Sequence, residues 1–283
     1  MFYGEEILTR SMSETKILDK QGKVWQYHSR SDAHSKAACW AILFDLLANC
    51  ELLAKHALEK KVGFGINHTM HDWALNRDKD LDLVICTPAN GKYLSGTFVD
   101  FVVKYGIKLT DEEKLVLKSL PQLLMCEVGT SFVALEAKAC MTEHVKALPR
   151  LYDELTSSHQ TIHGDTKNTI AVGFVMINTA DSFISPGRNA RSSQDGGMFV
   201  TEHKQPFAAQ RVYEKTGQLG RRTKIEDIGF DAIGITFMKC KNDGSQIKID
   251  KSIYTNLKID STFSYGKMIE RIKSLYSVTF NQI

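Results

Sequence analysis

The hydrophobic pattern changes period several times along the chain, and each change marks an element. Ser31 and Asp32 are both good helix caps, and the following AHSKAACWAILFDLLANCELLAKHALEK contains neither Gly nor Pro. One row at helical spacing runs Cys39, Leu43, Leu46, Cys50, Leu53, Ala57; a second runs Trp40, Phe44, Leu47, Glu51, Ala54, Leu58. This spacing predicts one long, largely buried helix that ends before Gly63. Asp45 falls on a different row, with Asn49, His56 and Glu59, the expected solvated face.

Beyond that helix, LDLVIC at 81–86 is a short apolar run that predicts a buried strand. TDEEKLVLKSL at 110–120 predicts a short helix, with a Thr cap and acids in its first turn. SFVALEAKAC (131–140), NTIAVGFVMINTA (168–180) and FDAIGITFMKC (230–240) predict three further strands. Between the first two of these, TEHVKALPRLYDELTSSHQ reads as a helix that Pro149 begins, kinks or interrupts. Asn242-Asp243-Gly244 is a turn signal, so the last strand returns as SQIKI in a hairpin, and YGKMIERIKSLYS predicts a final helix. Residues 1–30 carry no clear period.

Helices alternating with strands predict a mixed α/β fold, a central mixed sheet flanked by helices. No repeat or linker divides residues 1–283, so one domain is expected. Residues 87–131 form an insertion that has to loop out, at little extra closure entropy.

Composition narrows the function. Apolar residues make up 43% and charged residues 24%, ordinary for a soluble protein with a core of its own. The net charge of +3 neither announces nor excludes a nucleic-acid partner. Residues 185–224 carry eight Lys and Arg against three Asp and Glu, a larger excess than the whole chain has. Six cysteines include no CxxC, and Cys39, Cys50, Cys86 and Cys140 sit in apolar runs. That usage fits free core thiols in a reducing compartment. With no signal-like start and no apolar run long enough to span a bilayer, a cytoplasmic protein is expected.

The chemistry concentrates in Glu136-Ala137-Lys138. Alternation along a strand sends Glu136 and Lys138 to one side, inside an otherwise apolar run. Two charges carried into a core need a partner or a metal. Asp82 opens the other buried strand, LDLVIC. Two carboxylates on neighbouring strands suit Mg²⁺, which takes oxygen ligands and keeps several waters. The lysine can then orient or help deprotonate an attacking water, and the metal offsets charge on a phosphodiester transition state. Asp80, two residues earlier, shares the face of Asp82 and is the alternative ligand.

Asp82 in KDLDLVICTP, with Glu136 and Lys138 in VALEAKACMTEH, resembles the PD-(D/E)xK nuclease superfamily, type II restriction endonucleases in particular. The wider run EAKACMTEHVKALPRLYDELTSSHQTIHG is similar to one found in restriction-type endonucleases. The element order over residues 32–178 also matches: long helix, strand with Asp, strand with ExK, helix, strand. Two features depart from the family pattern. Leu81 stands where Pro is usual, and 54 residues separate Asp82 from Glu136. The resemblance implies a restriction-endonuclease-like core and Mg²⁺-dependent hydrolysis of double-stranded DNA leaving 5′-phosphates. It implies Asp82, Glu136 and Lys138 as the catalytic set, with Asp82 and Glu136 on the metal. In many members a glutamate of the preceding helix completes the site. Glu51 occupies an apolar row of the predicted helix and is the candidate for that role; an exposed Glu51–Lys55 pair is its plain alternative.

For such an enzyme the basic tract becomes a DNA-contacting arm, with Arg188, Arg191, Arg221 and Arg222 as candidates for phosphate or guanine contacts. A palindromic target asks for a homodimer, and a restriction role asks for a cognate DNA methyltransferase. A non-catalytic DNA-binding or scaffold protein on the same fold, or a repair or mobile-element nuclease, are the competing readings. Other motifs carry less. His68 and His71, or His159 and His163, lack the third ligand of a zinc site. His144 is a surface residue or a phosphate contact. Gly63-Phe64-Gly65 reads as a loop with no phosphate-binding lysine after it, and Ser157 and Ser158 have no nucleophile-elbow context.

Overall fold

The computed structural model describes residues 1–189 and 197–283. The unpatterned N-terminus opens with a helix, α1 (Gly4–Glu14), which buries Ile7, Leu8 and Met12. Two short strands follow, β1 (Ile17–Leu18) and β2 (Val24–Trp25), paired with each other. The predicted long helix is two: α2 (Ala33–Asn49) and α3 (Glu51–Leu58), set at 96° to one another. Cys50 between them is extended, at φ −105 and ψ 94. Turning there lets α3 bury Leu53 and Ala57 and brings His56 Nδ1 to 3.0 Å from the Tyr276 hydroxyl. Tertiary burial has overridden an unbroken helical sequence.

Gly63-Phe64-Gly65, expected as a loop, instead starts β3 (Gly63–Asp72). A Cβ at Gly63 would lie 2.7 Å from the Leu124 carbonyl oxygen, so glycine is needed for that close approach. LDLVIC lies inside a much longer strand, β4 (Arg77–Thr97). After α4 (Asp100–Lys104) comes α5 (Asp111–Ser119), started by a capping box between Thr110 and Glu113. β5 (Leu124–Cys140) carries the ExK run. The expected loop-out at 87–131 is therefore largely built onto the sheet. The second half of β4 pairs with the first half of β5, as Tyr93↔Cys126 and Thr97↔Leu124, through several register shifts.

The helix after β5, α6 (His144–Asp165), runs through Pro149 without ending. The chain continues through β6 (Ile170–Asn178), β7 (Ser182–Ile184), α7 (Pro186–Asn189), β8 (Val200–Glu202), α8 (Phe207–Gly217) and β9 (Ala232–Lys239). The Asn-Asp-Gly turn delivers β10 (Lys248–Ile249), antiparallel to β9 as predicted. α9 (Ser252–Leu257) and α10 (Tyr265–Thr279) close the chain.

The result is a mixed α/β fold around a six-stranded mixed sheet. β3, β4 and β5 are antiparallel neighbours, and β5, β6 and β9 run parallel. The three antiparallel strands curl until Phe64 of β3 meets Met125 of β5. One face of the sheet packs against α1, α2, α3 and α10, through Phe44, Leu135, Phe174 and Tyr276. The other packs against α6 and α8, through Val84, Leu155, Val175 and Val212. All six cysteines are buried and free. No single helix among the described residues is long and apolar enough to cross a membrane.

Candidate active site

The site forms where two strands part. β4 pairs with β5 through Leu83↔Leu135, and the ladder stops there. β4 stays with β3 out to Arg77↔Asp72, while β5 stays with β6 out to Cys140↔Ile177. Asp82 and Glu136 sit at the opening of this fork. Parting leaves the Ala137 amide without a ladder acceptor, and Asp82 Oδ2 takes its hydrogen at 2.8 Å. The carboxylate replaces a backbone carbonyl, which fixes its position on the strand frame.

Glu136 is 3% exposed. Its Oε1 lies 2.7 Å from Lys138 Nζ and 3.9 Å from Lys79 Nζ. Its Oε2 is buried without a hydrogen-bond partner among the described residues. Burial, reinforced by the charge of Asp82, pushes the Glu136 carboxyl up to about 7 despite both lysines. Burial also raises Asp82, opposed by the Ala137 amide and Lys138. For Lys138 burial disfavours the charge, but Glu136, Glu154 and Asp82 outweigh it and raise the pKa. Two carboxyls are thus held above their usual range, beside a firmly charged amine.

Asp82 and Lys138 open into a cleft of about 470 Å³ between the start of α2, the end of β5 and α6. Sequence reasoning missed several of its residues. Glu154 on α6 accepts from Lys138 at 3.2 Å and from Arg150 at 2.6 Å. Its position follows from the crossover that lays α6 back along β5, a tertiary fact with no local signature. Arg30, exposed at the rim, forms no ion pair among the described residues. His34, beside the ring of Tyr27, is pushed down to about 4 by burial, so it faces the cleft neutral.

Other expected residues lie elsewhere. Glu51 is the exposed first residue of α3. It sits at the opposite end of α2 from the cleft, roughly 25 Å away at 1.5 Å per residue, because the cleft is lined by the start of that helix. The structure does not bring it to Asp82 and Glu136. Asp45 is not solvated: it is fully buried and accepts from Tyr3 N (2.9 Å), Gly4 N (2.8 Å) and the Tyr265 hydroxyl (2.8 Å). It caps the start of α1. Asp80 is exposed further out on the hairpin and accepts from Thr69; Asp82 alone of the two lines the cleft.

Among the arginines, Arg222 is not a surface contact. It is 8% exposed, and its guanidinium is spent on Asp231 (2.6 Å), Lys167 O (2.7 Å) and Thr169 O (3.2 Å). Arg221 and Arg222 also lie where the parallel strands begin, while Lys138 is five residues beyond Val133, the partner of Ile170 at the start of β6. That is roughly 16 Å along the sheet. Arg188 pairs with Glu143 and lies over the Phe199 ring. Arg191 lies outside the described residues. His144 is buried, its Nε2 bonded to Asn178 O at 2.8 Å, so it is not the surface residue expected. His71 pairs with Asp78 and His163 with Gly229 O.

The donor set fits one hard divalent cation. Asp82 and Glu136 supply oxygens, Glu136 Oε2 has no other partner, and both raised pKa values fall when a cation arrives. Among the described residues no three His, Cys, Asp or Glu side chains converge on one point. Mg²⁺, which usually keeps several waters and binds through one or two carboxylates plus a substrate phosphate, does not require three. No family model, curated protein or solved structure matches the chain.

Proposed function

We propose that the protein is a Mg²⁺-dependent endonuclease of restriction type that hydrolyses phosphodiesters of double-stranded DNA. The observation that carries this reading is the strand fork, which sets Asp82 and Lys138 on an open cleft and the buried Glu136 carboxylate against Lys138 just behind them. Helix, antiparallel β3–β4–β5, helix α6 and parallel β6 is also the order of a restriction-endonuclease-like core, and supports that finer description.

Each residue has a role set by its environment. Asp82 and Glu136 would hold Mg²⁺, which when bound polarises the phosphate and offsets its growing charge. The Ala137 amide keeps Asp82 in position before any substrate arrives. Lys138, charged in the closed pair with Glu136, is the group placed to orient an attacking water and to stabilise developing negative charge. Glu154 restrains the lysine from the opposite side, and Arg150 in turn restrains Glu154. Arg30, free at the rim, is positioned for a DNA phosphate.

A duplex with a two-fold target would be cut by a homodimer, and Arg188 remains a candidate contact outside the cleft. The test is cleavage of plasmid and phage DNA in Mg²⁺, in EDTA, and with Lys138→Ala prepared in parallel. Discrete fragments that require both Mg²⁺ and Lys138 are expected. DNA binding in a shift assay without cleavage of methylated or unmethylated DNA would instead favour a non-catalytic binding module.

A further inference from the structure

A second cavity, of about 430 Å³, lies where the parallel strands begin, away from the fork. Its charged lining is four cations, Arg221, Arg222, Lys267 and Arg271, against one acid, Asp231. Arg221 enters from the loop after α8, and Lys267 and Arg271 from the first two turns of α10. Its floor is apolar, formed by Ile233, Phe263 and Met268.

The acids around it are already engaged. Asp231 takes Arg222 on Oδ1 and the Ala171 amide on Oδ2. Asp227 accepts from Thr223, and Glu270 pairs with Lys273 at 3.6 Å. Asp260 lies near Lys267 but accepts from the Thr262 amide. Among the described residues, Arg221, Lys267 and Arg271 form no ion pair with a carboxylate. Arg221 rests 5.3 Å from the Phe263 ring centre, and Arg271 reaches only the Asp231 carbonyl, at 3.4 Å. Lys267 and Arg271 are like charges at i and i+4, a mildly destabilising spacing in a helix. Three unpaired cations from two segments thus share one concavity, and a bound anion would remove their repulsion.

We infer that this cavity binds a phosphomonoester, its dianion on Arg221, Lys267 and Arg271 and its organic part on Ile233, Phe263 and Met268. A planar guanidinium pair with one ammonium suits phosphate oxygens. The apolar floor distinguishes the site from a patch for bare phosphate. The inference does not depend on the fork being catalytic.

The test is calorimetric titration of the full chain in EDTA with adenosine 5′-monophosphate, inorganic phosphate and adenosine. Binding is expected in the order monophosphate, then phosphate, with adenosine undetectable. Lys267→Ala and Arg271→Ala are each expected to weaken the monophosphate at least about tenfold, a loss on the scale of one charge-assisted hydrogen bond. Arg30→Ala, at the other cleft, is expected to leave it unchanged. Competition by a 5′-phosphorylated oligonucleotide, but not by its 5′-hydroxyl form, would give the source as a nucleic-acid end. Competition by neither would give it as a free nucleotide or other small phosphate, at the same site. No binding of the monophosphate to the wild-type protein overturns the inference, as does equal binding by the folded Lys267→Ala and Arg271→Ala variants.

Discussion

Replacing Glu136 by Gln isolates the electrostatic cost of the fork. The glutamine keeps the shape and can still accept from Lys138, but removes the charge that burial and Asp82 oppose. Folded, the Glu136 carboxyl is pushed from 4.5 up to about 7. The folded protein therefore keeps this proton after the unfolded chain has released it. By linkage, stability falls as pH rises from about 4.5 to about 7 and is flat above. At about 1.36 kcal/mol per pH unit of displacement, the loss is on the order of 3 kcal/mol. Buried histidines act in the opposite sense. Burial pushes His34, His144 and His159 down to about 4, so their contribution grows as pH rises toward the unfolded histidine value. Only the difference between variant and wild type is therefore diagnostic. Urea unfolding in EDTA across this range is expected to show Glu136→Gln gaining about 3 kcal/mol relative to wild type between the acid and neutral ends. Saturating Mg²⁺ is then expected to raise the wild-type melting temperature and leave the variant unmoved. A difference curve flat across the range would refute the electrostatic argument, and equal stabilisation of both proteins by Mg²⁺ would refute the ligand assignment.

Other substitutions test neighbouring claims. Lys138→Ala is expected to abolish DNA cleavage while leaving DNA retention in a shift assay within about twofold, since one contact among many carries little of the non-specific affinity. Glu51→Ala is expected to leave plasmid cleavage unchanged and chemical stability within about 0.5 kcal/mol, as for an exposed surface residue. Asp45→Ala strands the Tyr3 and Gly4 amides and the Tyr265 hydroxyl, and urea unfolding is expected to show a loss of about 3 kcal/mol. Arg222→Ala leaves Asp231 buried and unpaired, at an expected cost of about 3–5 kcal/mol in the same measurement, with no selective loss of DNA affinity.

The elements most legible in the sequence were those with local signatures. The Thr110 helix cap, the Asn-Asp-Gly turn and the largely apolar strands β6 and β9 all occur where the pattern put them. What was hidden depends on packing. The chain turns at Cys50 because α3 has a surface on α10 to cover, and nothing between Ala33 and Lys60 announces it. That single turn took His56 out of the solvated row and set it against Tyr276, while Glu51 is kept from the site by the length of α2 itself, since the cleft lies at that helix's first turn. Asp45 was misplaced for a related reason: its partners, Tyr3 and Gly4 on one side and Tyr265 on the other, are distant in sequence. A charge on a helix looks solvated until the element that needs it is known.

The same logic explains why the fork itself was half visible. Alternation along VALEAKAC put Glu136 and Lys138 on one side without reference to any other strand. That Asp82, and not Asp80, would face them is decided by where two ladders separate. Had β4 and β5 stayed paired one residue further, a backbone carbonyl would satisfy the Ala137 amide and Asp82 would be free to turn to solvent. Because they part at Leu83↔Leu135, the amide needs an acceptor and draws the carboxylate inward. The hydrogen bond that completes the sheet edge is therefore also the one that positions the proposed metal ligand, so folding and preorganisation of the site are a single event.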